Sequence, residues 1–213
     1  MRMRALMLTC GLLLGLGVAL AGEDWTPLFN GKDLEGWGKA DPTKFKVEDG
    51  CLVGTQDDGK GADLFTTAAY DNFELRFTYK VKWPANSGIW FRDRYQFDIL
   101  KWTNPKTFSG ALYPGAKSTF AFVNLDETIE KADNWNEGLV YANGDHIAFW
   151  LNGKFIGEVH DTRSAKGRVG VQVHGGAGFK GMKIIVKKIE LRPLKEGDKP
   201  SLPLPPKAAE PAK

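Results

Sequence analysis

Hydrophobic and polar residues alternate in several segments in the middle of the chain. The alternation is clearest at residues 73–80, 89–92, 95–99 and 147–151. A period of two is the mark of a strand with two unlike faces, and no stretch of a dozen residues has a convincing helical period. Turn dipeptides separate the runs, namely Asp49-Gly50, Asn143-Gly144 and Asn152-Gly153. About ten to twelve short strands without intervening helices therefore predict an all-β, antiparallel sandwich.

The alternation also divides the strand residues between the interior and the outside of the sandwich. The predicted interior set is Phe73, Leu75, Phe77, Ile89, Phe91, Phe97, Ile99, Ile147, Phe149, Leu151, Val169, Val171 and Val173. The opposite set contains Glu74, Trp90, Arg92, Gln96, Asp98, Trp150, Asn152, Gln172 and His174. Because residues two apart share a face, register predicts that all of this set except Asn152 converge on one concave face.

The composition of the predicted outer face indicates a sugar ligand. Tryptophan is costly to expose, so two tryptophans among arginines, carboxylates and amides are unusual for a solvated sheet face. Flat aromatic rings beside planar hydrogen-bonding groups suit a sugar ring, which has apolar faces and hydroxyl edges. The alternative is that loops cover the tryptophans and that the charges pair with each other.

The two ends of the chain do not have the sandwich pattern. Residues 1–21 combine a basic start, an apolar run and an Ala-x-Ala-like end, which predicts a cleavable signal peptide and export to the periplasm or beyond; the alternative is a membrane anchor. Residues 193–213 hold six of the eleven prolines and predict a disordered, extended tail. The expected domain is therefore 22–192.

Charge and cysteine content exclude several classes of protein. The chain has 29 basic and 26 acidic residues, and the excess lies in the two terminal segments, so the domain itself is neutral. A neutral domain without a basic stripe does not suit nucleic acid. Without its signal peptide the chain keeps one cysteine, Cys51, which excludes an internal disulfide and a cysteine-based zinc site.

Seven ordered segments resemble one family of secreted bacterial domains. They are residues 25–37 (WTPLFNGKDLEGW), 70–75 (YDNFEL), 86–92 (NSGIWFR), 109–113 (SGALY), 135–136 (WN), 151–153 (LNG) and 169–175 (VGVQVHG). Together they resemble the 3-keto-disaccharide hydrolase-like domains over essentially all of residues 25–191. The resemblance implies a jelly-roll sandwich of the concanavalin A-like lectin and glucanase type.

The resemblance also implies a reaction, the cleavage of a sugar whose C3 hydroxyl has been oxidised to a ketone. A general base would remove the proton on C2, the glycosidic oxygen would leave C1, and water would add to the resulting enone. The base would be His174 or Asp98, and Arg92 would stabilise the enolate. Glu74 would act as the acid or would only pair with an arginine. The expected substrate-binding residues are Trp90, Gln96, Trp150, Asn152 and Gln172.

One strand departs from the family pattern Tyr-Glu-x-Gln-Ile-x-Asp. In this chain Gln96, Asp98 and Lys101 stand where the family has Glu, Gln and Asp. The carboxylate is displaced by two residues, about 6–7 Å along a strand, which is enough to move the substrate or to remove catalysis. Two alternatives therefore stay open, a conventional glycoside hydrolase that uses Glu74 and Asp98, and a non-catalytic carbohydrate-binding module that uses Trp90 and Trp150.

No cofactor is expected, although scattered loop acids are compatible with a calcium ion. These acids are Asp57, Asp58, Asp63, Asp126 and Glu127, and they do not form a recognisable calcium-binding loop.

Overall fold

The described residues of the computed structural model, 25–115 and 119–206, form strands, turns and two short 3₁₀ helices, with no α-helix among them. The strands are β1 (Thr26–Pro27), β2 (Phe45–Glu48), β3 (Cys51–Gln56), β4 (Ala62–Tyr70), β5 (Phe73–Lys82), β6 (Asn86–Phe91), β7 (Tyr95–Thr103), β8 (Lys106–Tyr113), β9 (Phe122–Asn124), β10 (Asn136–Asn143), β11 (His146–Leu151), β12 (Lys154–His160), β13 (Gly167–Val173) and β14 (Met182–Pro193). The 3₁₀ helices are Glu127–Ile129 and Ala177–Phe179.

The strands form two antiparallel sheets. The eight-stranded sheet has the order β12-β11-β10-β5-β14-β3-β2, with β1 paired to β14, and the six-stranded sheet has the order β4-β13-β6-β7-β8-β9. Strands distant in sequence are neighbours in both sheets, such as β5 beside β14 and β13 beside β6. This crossing connectivity with antiparallel pairing confirms the predicted jelly-roll sandwich.

The core lies between the two sheets and contains every member of the predicted interior set. Aromatic rings from both sheets meet at its centre. The Phe97 ring lies 5.1 Å from that of Phe77 and 5.0 Å from that of Phe149, and Phe149 lies 5.1 Å from Phe122. Fully buried aromatic side chains contribute much of the burial energy of a core, so these contacts hold the two sheets together.

The segment that follows β14 packs against the outer face of the eight-stranded sheet. Leu194, Leu202 and Leu204 cover an apolar strip that includes Tyr141 and Trp150. Backbone carbonyls of the segment accept hydrogen bonds from the sheet, including 2.8 Å from the Tyr141 hydroxyl to Asp198 O and 3.3 Å from Trp150 Nε1 to Pro203 O.

The prediction of a disordered tail is therefore wrong for residues 194–206. The segment has too little apolar surface to fold alone, but Leu194 is buried, and Leu202 and Leu204 partly buried, against a strip that the sheet already presents. Proline lowers the conformational entropy that such a segment loses on ordering. The predicted signal peptide and residues 207–213 lie outside the described residues.

Candidate functional site

A cleft lies on the outer face of the six-stranded sheet, above β13, β6 and β7. Its volume is about 480 Å³. It is lined by Asn86, Trp90, Gln96, Asp98, Leu100, Trp102, Pro105, Tyr113, Thr119, Phe120, Gln172 and His174. Five of the nine predicted site residues, namely Trp90, Gln96, Asp98, Gln172 and His174, thus lie together as expected.

Strand register explains why these side chains share one face. Gln172, Gly88 and Asp98 form one cross-strand row, and Trp90 and Gln96 belong to the next. The glycine makes room for the side chain above it, because a Cβ at position 88 would lie 2.6 Å from the Gln96 side chain. Gln96 consequently lies over the floor of the cleft.

Two polar groups at this floor are buried without a hydrogen-bond partner among the described residues. They are Gln96 Nε2 and Asp98 Oδ1, in side chains that are 3% and 5% exposed. Burial raises the pKa of the Asp98 carboxyl well above its usual range, because desolvation penalises the charged form. Leaving a buried polar group without a hydrogen bond lowers the stability of the fold by roughly 1–3 kcal/mol. A ligand in the cleft could form the hydrogen bonds that these two atoms lack.

Asp63 holds two of the other cleft residues in place. Its Oδ1 accepts hydrogen bonds from Trp90 Nε1 at 2.8 Å and from Gln172 Nε2 at 3.2 Å. Asp63, expected to be a loop acid, lies instead in β4, directly opposite Gln172. The sequence feature that could have indicated this is the neighbouring Leu64. Leu64 is buried in the core, and neighbouring residues of a strand point to opposite faces, so Asp63 lies on the outer face.

His174 follows the last residue of β13 and is exposed at the edge of the cleft. Its ring packs edge-on against Phe179, with the centroids 5.7 Å apart, and its Nδ1 contacts the carbonyl oxygen of Gly175. A carbonyl oxygen only accepts, so this contact places the proton of the neutral imidazole on Nδ1. The lone pair is then on Nε2, which is the form a general base requires.

Glu74 and Trp150 do not lie in the cleft, and their predicted positions are wrong. Both are on the outer face of the other sheet, under residues 194–206, and are 0% and 1% exposed. The Glu74 carboxylate accepts hydrogen bonds from Arg192 and from Ser201, including 2.6 Å from the Ser201 backbone N–H. Register assigns each residue to the outside of its own sheet, and a sandwich has two outer faces that point in opposite directions.

Arg92 also lies elsewhere, because β6 ends at Phe91 and the backbone of Arg92 has a φ of +53°. The alternation of faces stops at the end of the strand. The guanidinium is fully buried and donates hydrogen bonds to the carbonyl oxygens of Asp71, at 2.9 and 2.7 Å, and of Gly144, at 2.8 Å. Burial lowers the pKa of Arg92 from its usual value. The side chain thus connects two loops.

Asn152 is a turn residue, which corrects the expectation that it binds substrate. It has a φ of +51° in the β11–β12 hairpin turn, followed by Gly153. Its Nδ2 donates hydrogen bonds to the carbonyl oxygen of Ile129 at 2.7 Å and to Asn136 Oδ1 at 2.8 Å. Asparagine is common in such turns because it tolerates a positive φ.

A conventional glycoside hydrolase mechanism that uses Glu74 and Asp98 is excluded by the same geometry. Paired glycosidase carboxyls lie roughly 5–9.5 Å apart. Here they are on the outer faces of two sheets, and stacked sheets are themselves about 10 Å apart. The two side chains also point away from each other.

Comparison with known proteins agrees with the fold. Residues 24–192 match the model of the 3-keto-alpha-glucoside-1,2-lyase-like domain. The chain belongs to this family. A 3-keto-disaccharide hydrolase of Bacteroides thetaiotaomicron is 35% identical over 86 residues, which cover 36% of this chain and 30% of that protein. The matched part therefore spans less than a third of this curated relative.

Two solved structures show how widely this family's fold is shared. A candidate glycosyl hydrolase from Parabacteroides distasonis has a TM-score of 0.62 at 20% identity, covering 80% of this chain and 94% of that one. The carbohydrate-binding module CBM66 from Bacillus subtilis has a TM-score of 0.56 at 11% identity, covering 72% of this chain and 93% of that module. At these identities the likeness concerns the fold.

The described residues contain no group of three or more histidines, cysteines or acids that could hold a metal ion. Asp63, one of the acids considered for calcium, instead accepts from Trp90 and Gln172. Asp58 pairs with Lys44, and Asp126 caps the 3₁₀ helix Glu127–Ile129 by accepting from Thr128. No helix among the described residues is long and apolar enough to cross a membrane.

Proposed function

We propose that the chain hydrolyses glycosides that carry a ketone at C3 of one sugar ring, and that the reaction takes place in the cleft on the six-stranded sheet. The observation that supports this most is the pair of unpaired polar groups, Gln96 Nε2 and Asp98 Oδ1, beside the free Nε2 of His174. The family to which the chain belongs, and the curated relative's activity on 3-keto-disaccharides, agree with it.

His174 begins the reaction by removing the proton on C2, which the neighbouring ketone acidifies. The C2–H electron pair forms a C2=C3 double bond, and negative charge develops on the C3 oxygen. When the ketone re-forms, a C1=C2 double bond appears, the C1–O bond breaks, and the departing oxygen takes a proton from water. The hydroxide formed in this way adds to C1, and His174 returns its proton to C2, so the net change is hydrolysis.

Asp98 and Gln96 act on the C3 oxygen as hydrogen-bond donors. The raised pKa keeps the Asp98 carboxyl protonated to higher pH than an exposed aspartate, and a protonated carboxyl donates. Two donors at one developing oxyanion lower the barrier, in the manner of an oxyanion hole. Trp90 and Gln172, both held by Asp63, form the wall against which the ring lies.

Two substitutions at Asp98 separate a donor from a base. Asparagine keeps an N–H that can donate, whereas leucine removes it, so we expect Asp98→Leu to lower kcat by about 10²–10³-fold and Asp98→Asn to lower it much less. A base at this position would make both variants equally inactive. The assay is cleavage of a 3-keto-disaccharide, with the corresponding disaccharide that has a C3 hydroxyl as the negative control.

The role of His174 is tested by isotope exchange at C2 of the same substrate in deuterium oxide. We expect His174→Ala to slow both exchange and cleavage by about 10²–10⁴-fold. His160→Ala is the matched control, because His160 is exposed and pairs with Asp145 outside the cleft. Unchanged exchange in His174→Ala would overturn the assignment of the base.

A non-catalytic sugar-binding function has one observation in its favour, the departure of this chain from the family pattern on β7. Lys101 stands where the family has Asp, and it points away from the cleft, to Glu127 at 2.7 Å and to the ring of Trp83. Under this alternative, calorimetry would detect binding of keto and hydroxyl disaccharides with similar affinity, without turnover of either. Its aromatic wall would be Trp90, since Trp150 is covered.

We also propose that the protein is exported, on the strength of the basic and apolar residues of 1–21. The proposal predicts that the mature protein begins near Gly22 and is recovered in the periplasm or the medium. N-terminal sequencing and fractionation test it.

A further inference from the structure

The cleft extends beyond the polar cluster, along β7 toward Trp102. Asp98, Leu100 and Trp102 are every second residue of β7 and therefore share one face of the strand, and all three line the cleft. Their exposed fractions are 5%, 3% and 43%. The cleft is therefore closed and polar at Asp98 and open and aromatic at Trp102.

The length of the cleft exceeds what one sugar ring needs. Four residues of extended strand place the Cα atoms of Asp98 and Trp102 about 13 Å apart. A single pyranose that contacts Gln96, Asp98 and His174 does not reach Trp102, whereas a second ring linked to the first does.

Trp102 is held in a fixed position although it is exposed. Its Nε1 donates a hydrogen bond of 3.0 Å to the carbonyl oxygen of Asn104, and its backbone pairs with Thr107 on β8. Trp102 and Leu125 are the large hydrophobic side chains that are exposed among the described residues, and of the two it is Trp102 that lines the cleft. A fixed flat ring suits the apolar face of a sugar.

The charges around this end of the cleft indicate a neutral occupant. Apart from Asp98 and His174, the described lining residues carry no charged side chain. The adjacent Lys101 is directed to the other side of the strand, where it pairs with Glu127. Among the described lining residues at this end, a sugar acid or a phosphorylated sugar would find no cation.

We infer that Trp102 is the platform of a second subsite, which holds the neutral leaving-group sugar of a 3-keto-disaccharide while the keto ring occupies the polar end. The inference rests on the proposed function for the chemistry at the polar end. It makes Trp102 a specificity-determining residue that distinguishes disaccharides from glycosides with a small leaving group. It also accounts for the part of the cleft that the reaction itself does not use.

The test compares Trp102→Ala and Trp102→Phe on two substrates with the same keto ring, a 3-keto-disaccharide and the methyl 3-keto-glycoside. An aromatic contact of this kind is worth roughly a 3- to 10-fold change, so kcat/KM for the disaccharide should fall by that factor in Trp102→Ala. Trp102→Phe should fall less, and the methyl glycoside should be unaffected. Leu125→Ala, an exposed residue outside the cleft, is the control and should behave as the parent protein on both substrates.

Two results would overturn the subsite. An equal loss on both substrates would mean that Trp102 acts on the keto-ring end, and no loss on either would mean that the ring is not a platform. If the parent protein turns over neither substrate, the proposed function fails, and calorimetry decides the subsite separately. In that case Trp102→Ala must still weaken binding of a disaccharide more than binding of its monosaccharide.

Discussion

The burial of Asp98 predicts an unusual dependence of stability on pH. Its carboxyl is 5% exposed and has one oxygen without a partner among the described residues, and burial raises its pKa well above the usual value near 3.8. Between the unfolded pKa and the raised folded pKa, the native state holds a proton that the unfolded state has lost. Stability contributed by this proton is therefore lost as the pH rises from about 4 to the folded pKa.

The size of the effect follows from linkage and needs no assumed interaction energy. While the native state holds one more proton than the unfolded state, the unfolding equilibrium constant rises about tenfold per pH unit. Asp98→Asn removes this titration and preserves the shape of the side chain. We therefore expect the stability of Asp98→Asn relative to the parent protein to grow with pH from about 4, and to level off above the folded pKa of Asp98.

Urea denaturation of both proteins at half-unit steps from pH 4 to pH 8 measures this difference. Glu130, whose pKa is also raised by burial, is present in both proteins and cancels. A difference in unfolding free energy that stays constant over the whole pH range would refute the argument, because it would show that Asp98 is not held protonated by the fold.

Three further substitutions test the remaining placements. Glu74→Ala leaves the partly buried Arg192 without its partner, so it should lower the unfolding free energy by on the order of 3 kcal/mol in urea denaturation and expose residues 194–206 to proteolysis. Arg92→Ala should lower the melting temperature through the loss of about 3 kcal/mol of hydrogen bonding, and Arg92→Lys should not restore it because lysine lacks the planar fork. Gly88→Ala should displace Gln96 and lower kcat/KM on the order of 10²-fold, whereas unchanged kinetics would show that the position of Gln96 is unimportant.

The fold and the core could be predicted because alternation is a local property of each strand. Once Phe97 and Ile99 are assigned to the interior, the pleat places Gln96 and Asp98 on the other side without reference to any neighbour. The same reasoning, applied strand by strand, brought Trp90 and Gln172 to the correct face. Five of the nine predicted site residues were consequently found together.

The errors arose where the prediction depended on more than one strand. Alternation cannot say which of two sheets a strand joins, so Trp150 was assigned to the cleft although β11 belongs to the other sheet. It also fails beyond a strand end, where Arg92 leaves the extended conformation. Asp63 was missed because its role depends on its cross-strand neighbour Gln172. Trp102 was missed because the β7–β8 hairpin extends past residue 101, where the predicted strand stopped.

The two outer faces show why the cleft, and not the strip around Trp150, is the place to look for function. Both faces present aromatic and carboxylate side chains, Trp150 and Glu74 on one and Trp90 and Asp98 on the other. On the eight-stranded sheet, residues 194–206 cover the tryptophan, and Arg192 and Ser201 satisfy the hydrogen-bonding groups of Glu74. On the six-stranded sheet, the described residues leave Gln96 Nε2 and Asp98 Oδ1 buried without a hydrogen-bond partner and leave Trp102 exposed. The six-stranded sheet thus presents an open cleft with buried polar atoms that a ligand could pair, and this is why the proposed function is assigned to that face.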